Sequence, residues 1–329
     1  MRLPQYEYHA PESLRQALAI KSELGAAALV LAGGTDLVVQ LKHGLSTPAA
    51  LVSLKNLKEL QGVRSSPDAV LIGAGTPLAA VAANEAIRTH FPVLVRAVES
   101  IGAVGIQHFR GTIGGNLCLT PRCTFYNQSL FWRQGKGPCH RTGGKECHAL
   151  AGSESCQSAC SGDTVPVLAA LSAQVGIAGP AGERIIPLIE LFSGKGETHL
   201  NLKPDEILTH VRVPMPWAPV SGSYQRLALR SAVDFPLVNA ACVAIQENGK
   251  VQTFRLVLSA LGPAPVMLKD LEVRIRGSQP VPEMADWASD AALKVAEGLA
   301  VANTVVSKEY RAKMASVMAR RAVRESLGL

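Results

Sequence analysis

Cysteine is nearly absent from this 329-residue sequence outside one short window. Six of the seven cysteines lie between residues 118 and 160, and only Cys242 lies elsewhere, within the apolar run LVNAACVAI. Aromatic residues are also scarce, at 5% of the chain, yet the same window holds Phe125, Tyr126, Phe131 and Trp132. This crowding indicates a local chemical role for the window, whereas the surroundings of Cys242 predict an ordinary core residue.

Long hydrophobic runs are missing as well. The longest, such as AAALVLA at residues 26–32, are far shorter than the roughly 20 residues that span a bilayer. The opening stretch, MRLPQYEYHAPESLRQ, has no apolar core behind a basic cluster, so we expect no secretory signal. We therefore expect a cytoplasmic protein without a membrane partner, in a reducing compartment where structural disulfides are rare.

Neither sign of charge dominates the sequence. The net charge is +7, and the densest basic run, YRAKMASVMARRAVRES, has the spacing of a solvated helix face. No nucleic-acid-binding module accompanies that run, so we expect no nucleic-acid partner. The apolar fraction of 47% is typical of a globular chain, and the length allows two or three domains.

Apolar periodicity predicts the order of helices and strands. ESLRQALAIKSEL, at residues 12–24, has helical spacing, whereas AALVLA, AALVSL and AVLIG predict strands. A helix-rich stretch runs from Pro77 to about Ser100. The cysteine window has no sustained period. Beyond it we expect a short helix, a hairpin made of AQVGIAG and ERIIPL, and a strand at ILTHVRVP.

The last third of the chain separates strands from helices. Two β-patterned runs, LVNAACVAIQ and KVQTFRLVLSAL, flank Glu247-Asn248-Gly249, which is a strong hairpin signal. The pattern becomes helical from about Val281 to the end. Strands and helices in separate blocks predict an α+β fold with a domain boundary near residue 220.

Two glycine-rich turns follow strand-like runs, in LVLAGGTDLVVQLK and GTIGGNLC. Glycine permits positive φ and lets an anion approach the backbone amides, as a bound pyrophosphate requires. Neither turn is a P-loop, because no Gly-Lys-Ser/Thr follows. A third turn, GAGTPL, has Leu78 where a dinucleotide fingerprint needs glycine. The spacing alone leaves cofactor binding and a simple tight turn equally open.

Six motifs occur in a fixed order: AGGTD, GAGTPLAAV, GTIGGNL, GDTVPVLAAL, EILTHVRVP and YQRLALRSAVDFPLVNAA. Over nearly the whole chain they resemble the FAD-binding subunits of the xanthine oxidase/carbon monoxide dehydrogenase family of molybdenum hydroxylases. The resemblance implies an FAD-binding domain of the vanillyl-alcohol oxidase (PCMH) type at residues 1–220, with two α/β subdomains at 1–60 and 61–220. It also implies a C-terminal domain of the CO dehydrogenase flavoprotein type at 221–329, with a small antiparallel sheet and helices.

The resemblance also implies which residues bind FAD. The two glycine turns would hold the pyrophosphate, Asp163 would contact the ribityl region, and Leu208 would pack near the flavin. Arg226 replaces a lysine common in the family, which keeps the charge but changes the geometry. The implied contacts are Leu29, Val30, Leu31, Ala32, Gly33, Gly34, Thr35, Asp36, Thr112, Gly114, Gly115, Asn116, Asp163, Leu208 and Arg226. Without the resemblance, Asp163 could equally be a helix N-cap and Leu208 a core residue.

The cysteine window is an insertion relative to that family. Most members run almost directly from the second glycine turn to the Gly-Asp motif, whereas this chain inserts about 40 residues, at 122–161. So long a loop cannot offset its ordering entropy by burial alone, and a metal would supply the cross-link. Spacing does not identify the ligands, and Cys139-His140 with Cys147-His148 could bind zinc instead. The aromatic residues could form a small core or cover a metal cluster.

The segment CTFYNQSLFWRQGKGPCHRTGGKECHA resembles the inserted loop of one group in the family, the 4-hydroxybenzoyl-CoA reductases. In that group the loop holds a [4Fe-4S] cluster, so the resemblance assigns four ligands, Cys123, Cys139, Cys147 and Cys156. It leaves Cys118 near the flavin turn and gives Cys160 no role. It implies no catalytic residue on this chain.

The same resemblance implies the partners. A molybdopterin-binding large subunit would hold the substrate, a small subunit would carry two [2Fe-2S] clusters, and the whole would be a dimer of heterotrimers. Electrons from ferredoxin would pass through the [4Fe-4S] cluster and FAD to these subunits, for reduction of 4-hydroxybenzoyl-CoA to benzoyl-CoA in anaerobic aromatic degradation. Two alternatives remain: a hydroxylase that oxidises another aromatic or N-heterocyclic substrate, and a zinc-stabilised non-enzymatic binding module.

Overall fold

The strands form three separate sheets in a computed structural model that describes residues 3–302 and 305–329. The first sheet is parallel and consists, in spatial order, of β1 (Glu7–His9), β3 (Ala50–Ser53) and β2 (Ala28–Leu31). Helix α1 (Leu14–Leu24) begins where the Ser13 side chain accepts a hydrogen bond from the Gln16 amide, and ends at Gly25, with φ +52°. Its Ala17 packs into a small core with Ala28, Ala50 and Val52.

The second sheet has five antiparallel strands, in the order β4 (Val63–Ser65), β5 (Ala69–Gly73), β8 (Ile207–Pro214), β6 (Gln174–Gly179) and β7 (Gly182–Pro187). Most of the short helices of this half lie between β5 and β6 in the chain. The helices are α2 (Leu37–Lys42), α3 (Leu78–Ala83), α4 (Glu85–His90), α5 (Pro92–Glu99), α6 (Gln107–Arg110), α7 (Ile113–Leu117), α8 (Leu130–Lys136) and α9 (Thr164–Ala170).

The third sheet is antiparallel, in the order β12 (Val266–Met267), β11 (Lys250–Ser259), β10 (Val238–Glu247) and β9 (Ser221–Leu227). Alternate residues of its strands enter two different cores. Ala241, Val243 and Val257 pack with α3, α5, α9 and the second sheet. Their neighbours Ala240, Cys242, Ala244, Leu256 and Leu258 pack against the C-terminal helices, α10 (Lys269–Ile275), α11 (Glu283–Leu299) and α12 (Lys308–Leu327).

The predicted α+β fold is confirmed. The predicted strands and helices correspond to α1, β2, β3, β5, the α3–α5 region, α9, the β6–β7 hairpin, β8, β10, β11 and the C-terminal helices. Asn248 and Gly249 both have positive φ in the predicted hairpin, and Cys242 is fully buried as expected. No helix in the described parts of the chain is long and apolar enough to cross a bilayer.

The cysteine window differs from its prediction. It contains helix α8, where the Ser129 side chain accepts a hydrogen bond from the Trp132 amide, and a short 3₁₀ turn at His140–Thr142. Helix α8 was not predicted from apolar periodicity because none of its residues is buried, so its sequence has no apolar stripe. The loop is held mainly by hydrogen bonds and aromatic contacts, which leave little trace in sequence.

Candidate functional site

A cavity of about 690 Å³ lies between the first sheet and the second sheet. Its walls come from β2, the turn after β2, the segment 111–116 and β8. This volume is in the range of about 300–1,000 Å³ that small-molecule and cofactor sites occupy. The two glycine-rich turns predicted to bind a pyrophosphate therefore face one common space.

The first glycine turn is packed too closely for side chains. A Cβ on Gly33 would lie 1.8 Å from the Arg110 carbonyl oxygen, and Gly34 has φ +75°. Within the described residues, the backbone amides of Gly34 and Thr35 donate no hydrogen bond to the protein. Amides that line a cavity without a protein partner suit an anionic oxygen, and a dinucleotide pyrophosphate fits this turn.

The second glycine turn begins helix α7. The Thr112 hydroxyl accepts a hydrogen bond from the Gly115 amide at 3.0 Å, and a Cβ on Gly114 would meet Ala74 at 2.7 Å. The Asn116 amide oxygen accepts hydrogen bonds from Thr164 through both its backbone N–H (3.1 Å) and its hydroxyl (2.7 Å). Asn116 thereby fixes the start of α9 relative to the turn.

Asp163 lies at the cavity wall and is 4% exposed. Its Oδ1 accepts hydrogen bonds from the Tyr224 hydroxyl (2.7 Å) and the Arg226 Nε (2.8 Å). Burial raises the pKa of the Asp163 carboxyl, and the Arg226 charge opposes that rise. Asp163 occupies the N-cap position of α9, but its side chain caps no helix amide, because the Asn116 side chain accepts from the Thr164 amide instead.

Most of the residues predicted to bind FAD line the cavity. Leu208, on β8, is buried at its wall. Arg226 does not line it; the residue donates to Asp163 and to the Asp234 carbonyl oxygen (2.6 Å), behind the wall. Leu31 is also outside. The lining positions are Leu29, Val30, Ala32, Gly33, Gly34, Thr35, Asp36, Thr112, Gly114, Gly115, Asn116, Asp163 and Leu208. Their individual contacts with FAD stay predictions.

The cysteine loop is attached to this cavity. Arg122 donates to Asp36 (Nη1 to Oδ1, 3.0 Å) and its guanidinium lies 4.1 Å from the centre of the Phe235 ring. The Cys156 amide donates to Glu197 Oε2 at 2.9 Å, and Glu197 also lines the cavity. Glu197 and Arg141, which both line the cavity, were not predicted from the sequence, because neither lies in a glycine turn or a recognisable motif.

All seven cysteines, each within the described residues, are free thiols. Burial raises the pKa of Cys118, Cys160 and Cys242 to about 12, so these thiols stay protonated. Burial also raises the pKa of Cys123 and Cys156, and the Arg141 charge opposes the rise at both. A cation placed beside two of the predicted ligands favours the thiolate form that binds metals.

The four predicted cluster ligands do not form a closed set. Cys123 interacts electrostatically with Cys147 and with Cys156, whereas Cys139 accepts a contact from the Thr142 hydroxyl at 3.7 Å. Across the described residues, no three His, Cys, Asp or Glu side chains converge on one metal ion. Four thiols on one loop match in kind and number the donors of a [4Fe-4S] cluster. Because the structure does not bring them together around one point, the ligand set stays a prediction.

The histidines of the loop bond to the backbone. His140 Nε2 is 2.9 Å from the Ser153 carbonyl oxygen, and His148 Nε2 is 3.2 Å from that of Gly137. A zinc-binding histidine commonly donates its second ring N–H to a backbone carbonyl, so these contacts leave Nδ1 of both side chains for a metal. The iron–sulfur cluster and the Cys/His zinc site therefore both stay predictions.

Three of the four aromatic residues pack within the loop. Phe125 lies 6.0 Å from both the Trp132 ring and the His148 ring, and the Tyr126 hydroxyl donates to the Leu45 carbonyl oxygen at 3.0 Å. Phe131 is 87% exposed, so the small-core prediction is wrong for that residue.

Two protein-family models together match almost the whole length of the chain. The family model described as FAD binding domain in molybdopterin dehydrogenase matches residues 4–216, and that of the CO dehydrogenase flavoprotein C-terminal domain matches residues 223–326. The chain is 29% identical over 324 residues to caffeine dehydrogenase subunit beta of Pseudomonas sp. (strain CBB1), covering 98% of this chain and 95% of the relative.

Carbon monoxide dehydrogenases are similar in both sequence and structure. The medium chain from Hydrogenophaga pseudoflava is 26% identical over 320 residues, covering 97% of this chain and 96% of its own. A chain of reconstituted CO dehydrogenase from Oligotropha carboxidovorans superposes with a TM-score of 0.82 and 26% identity, covering 100% of this chain and 99% of its own.

Proposed function

The chain belongs to the FAD-binding subunits of the molybdenum hydroxylase family, and on that premise we propose that it is the flavin and iron–sulfur subunit of a 4-hydroxybenzoyl-CoA reductase. The observation that supports this proposal is the contact between the cysteine loop and the flavin cavity. Two residues of the loop, Tyr126 and Arg141, line the cavity, and a third, Arg122, donates a hydrogen bond to the lining residue Asp36. A loop that only stabilised the fold would not need to reach a cofactor site.

The residues of the cavity would hold FAD in a fixed place. The amides of the first glycine turn would bind the diphosphate, and Asp163, fixed by Tyr224 and Arg226, would accept hydrogen bonds from the ribityl chain. Bound FAD exchanges one or two electrons, and its redox chemistry is its own. The protein contributes orientation and the exclusion of water, since the walls are apolar at Leu54, Leu78 and Leu208.

The loop would hold the [4Fe-4S] cluster through Cys123, Cys139, Cys147 and Cys156. Its attachment to the cavity at Glu197 would keep the cluster near the flavin. In this proposal the cytoplasmic subunit receives electrons from a ferredoxin and passes them to a [2Fe-2S] small subunit and a molybdopterin large subunit. The complete reaction consumes two electrons and two protons, converting 4-hydroxybenzoyl-CoA to benzoyl-CoA and water.

We predict about four iron atoms and one FAD per chain after anaerobic purification, as one cubane cluster requires. Cys139→Ser should lose most of the iron and keep most of the FAD, because Cys139 does not line the cavity. Cys160→Ala is the matched control from the same loop, since Cys160 is not a predicted ligand. The iron, sulfide, zinc and flavin contents are measured for the unaltered chain and for both variants. Stoichiometric zinc without sulfide would contradict the cluster and support the zinc-stabilised alternative.

The direction and substrate of the reaction need the complete complex. With its partner subunits and reduced ferredoxin, the protein should convert 4-hydroxybenzoyl-CoA to benzoyl-CoA. Relatives named as dehydrogenases of caffeine and nicotinate favour a second candidate, a hydroxylase that oxidises an N-heterocyclic substrate. Oxidation of such a compound with reduction of the bound flavin, and no benzoyl-CoA, would support that candidate instead.

A further inference from the structure

The charges that line the flavin cavity are unequal. Among the described lining residues only Arg141 carries a permanent positive charge, whereas five carry carboxylates, Asp36, Asp163, Glu197, Glu206 and Asp234. FAD brings two more negative charges on its diphosphate. An acidic cavity that accepts such a ligand needs either backbone amides or a cation at the diphosphate.

Four of the five carboxylates already have arginine partners outside the cavity, the longest pair being Asp234 with Arg230 at 3.9 Å. Asp36 pairs with Arg122, Asp163 with Arg226, and Glu206 with Arg184, at N–O distances of 2.8 to 3.0 Å. None of these four arginines lines the cavity. Their charges are therefore used by the protein itself, and Arg141 is the cation left to face a ligand.

Arg141 is held in place without a carboxylate. Its guanidinium lies 3.7 Å from the centre of the Tyr126 ring, and Nη1 donates to the Pro121 carbonyl oxygen at 2.9 Å. No carboxylate in the described part of the chain lies within ion-pair distance of it. A guanidinium has five N–H donors, so most of them remain for a ligand.

The stacking partner of Arg141 is itself fixed. Tyr126 is buried and its hydroxyl donates to the Leu45 carbonyl oxygen at 3.0 Å. A planar guanidinium that already rests on a fixed aromatic ring loses little conformational entropy when it binds a phosphate. Its geometry also suits two parallel hydrogen bonds to phosphate oxygens.

We infer that Arg141, supplied by the cysteine loop, binds the diphosphate of FAD. The loop is then part of the dinucleotide site as well as the proposed carrier of metal ligands. This inference rests on the flavin site of the proposed function, but not on the iron–sulfur cluster, the substrate or the direction of electron flow.

The test measures the affinity of FAD for the full chain after its flavin has been removed. Arg141→Gln should bind FAD about 10- to 100-fold more weakly, because a charge-assisted hydrogen-bonded contact is lost. Arg141→Lys, which keeps the charge, should recover part of the loss. The matched control is Arg133→Gln, because Arg133 lies in the same loop, 5.4 Å from the same Tyr126 ring, but does not line the cavity.

Two competitors identify the part of FAD that Arg141 contacts. ADP contains the diphosphate, whereas riboflavin contains only the ring and the ribityl chain. Arg141→Gln should therefore weaken the binding of ADP and leave the binding of riboflavin unchanged. Equal FAD affinity in Arg141→Gln, Arg133→Gln and the unaltered chain would overturn the inference. Weaker binding of riboflavin with unchanged binding of ADP would also overturn the inference. Iron content and benzoyl-CoA formation play no part in this assay, so its failure is separate from that of the proposed function.

Discussion

Asp163 shows what a single residue of this chain does that its sequence neighbourhood does not reveal. Its position after a glycine predicted either a flavin contact or a helix cap. The carboxylate lines the cavity and also accepts hydrogen bonds from Tyr224 and Arg226, on a strand about sixty residues later. Asp163 and Arg226 were predicted as separate cofactor contacts. Their pairing depends on the path of the chain between them and on the strand register, which no local sequence pattern contains.

His199, which lines the cavity, makes the stability of the fold depend on pH. Burial lowers its pKa to about 4, the Cys118 carbonyl opposes the fall, and the Arg141 charge adds to it. Because the pKa in the folded state is below the ordinary value near 6.5, the neutral histidine stabilises the fold above that pH. The stabilisation is lost as the pH falls towards 4.

We predict a measurable difference between the unaltered chain and His199→Gln. Between pH 7 and 4.5 the unaltered chain should lose about 2–3 kcal/mol more of its unfolding free energy than the variant, because only the former has an imidazole that gains a proton on unfolding while it stays neutral in the fold. Urea unfolding at both pH values measures this loss. Equal losses in the two proteins would show that His199 titrates normally in the folded state.

At the scale of elements, the turn after β2 depends on glycine because another backbone passes over it. The Arg110 carbonyl oxygen occupies the place of a Gly33 side chain. Gly33→Ala should therefore displace the 110–111 segment, destabilise the fold by about 3 kcal/mol, and lower the FAD content. Gly105→Ala is the control, since a Cβ there meets nothing within 4 Å. Thermal unfolding and flavin absorbance measure both effects. A Gly33→Ala protein with normal FAD would refute the role of this turn.

Sequence periodicity was sufficient for the elements with an apolar face and insufficient for the others. Helix α1 and strands β5, β8, β10 and β11 bury regular sets of residues, and each was predicted. Strand β9 was missed because SGSYQRL alternates only weakly and its burial is partial. Arg141 was missed for a related reason: its position in the cavity depends on the path of an irregular loop, which only the three-dimensional structure supplies.

At the scale of the whole molecule, β10 and β11 join the two halves of the chain. Their alternate residues enter both major cores, so neither core is complete without this sheet. The end of β11 also bonds to the cysteine loop, since the Cys160 carbonyl oxygen accepts hydrogen bonds from the Ala260 amide (3.0 Å) and the Ser259 hydroxyl (2.9 Å). The boundary predicted near residue 220 stays a prediction.

We predict that the full chain unfolds in urea as one cooperative unit. Variants that keep only Trp132, in the loop, or only Trp287, on α11, should show the same fluorescence midpoint, because the shared sheet couples the regions they report. Far-UV circular dichroism of each variant is the control for an altered overall stability. Two well-separated midpoints would mean that the cores unfold independently.

The shared sheet also determines how the protein responds to a protease. A single cleavage in the connection between β8 and β9 would break the covalent chain without freeing two soluble fragments. Each fragment would carry one half of an apolar interface that only the other can cover. The nicked protein would therefore migrate as an intact particle until a denaturant separated its pieces.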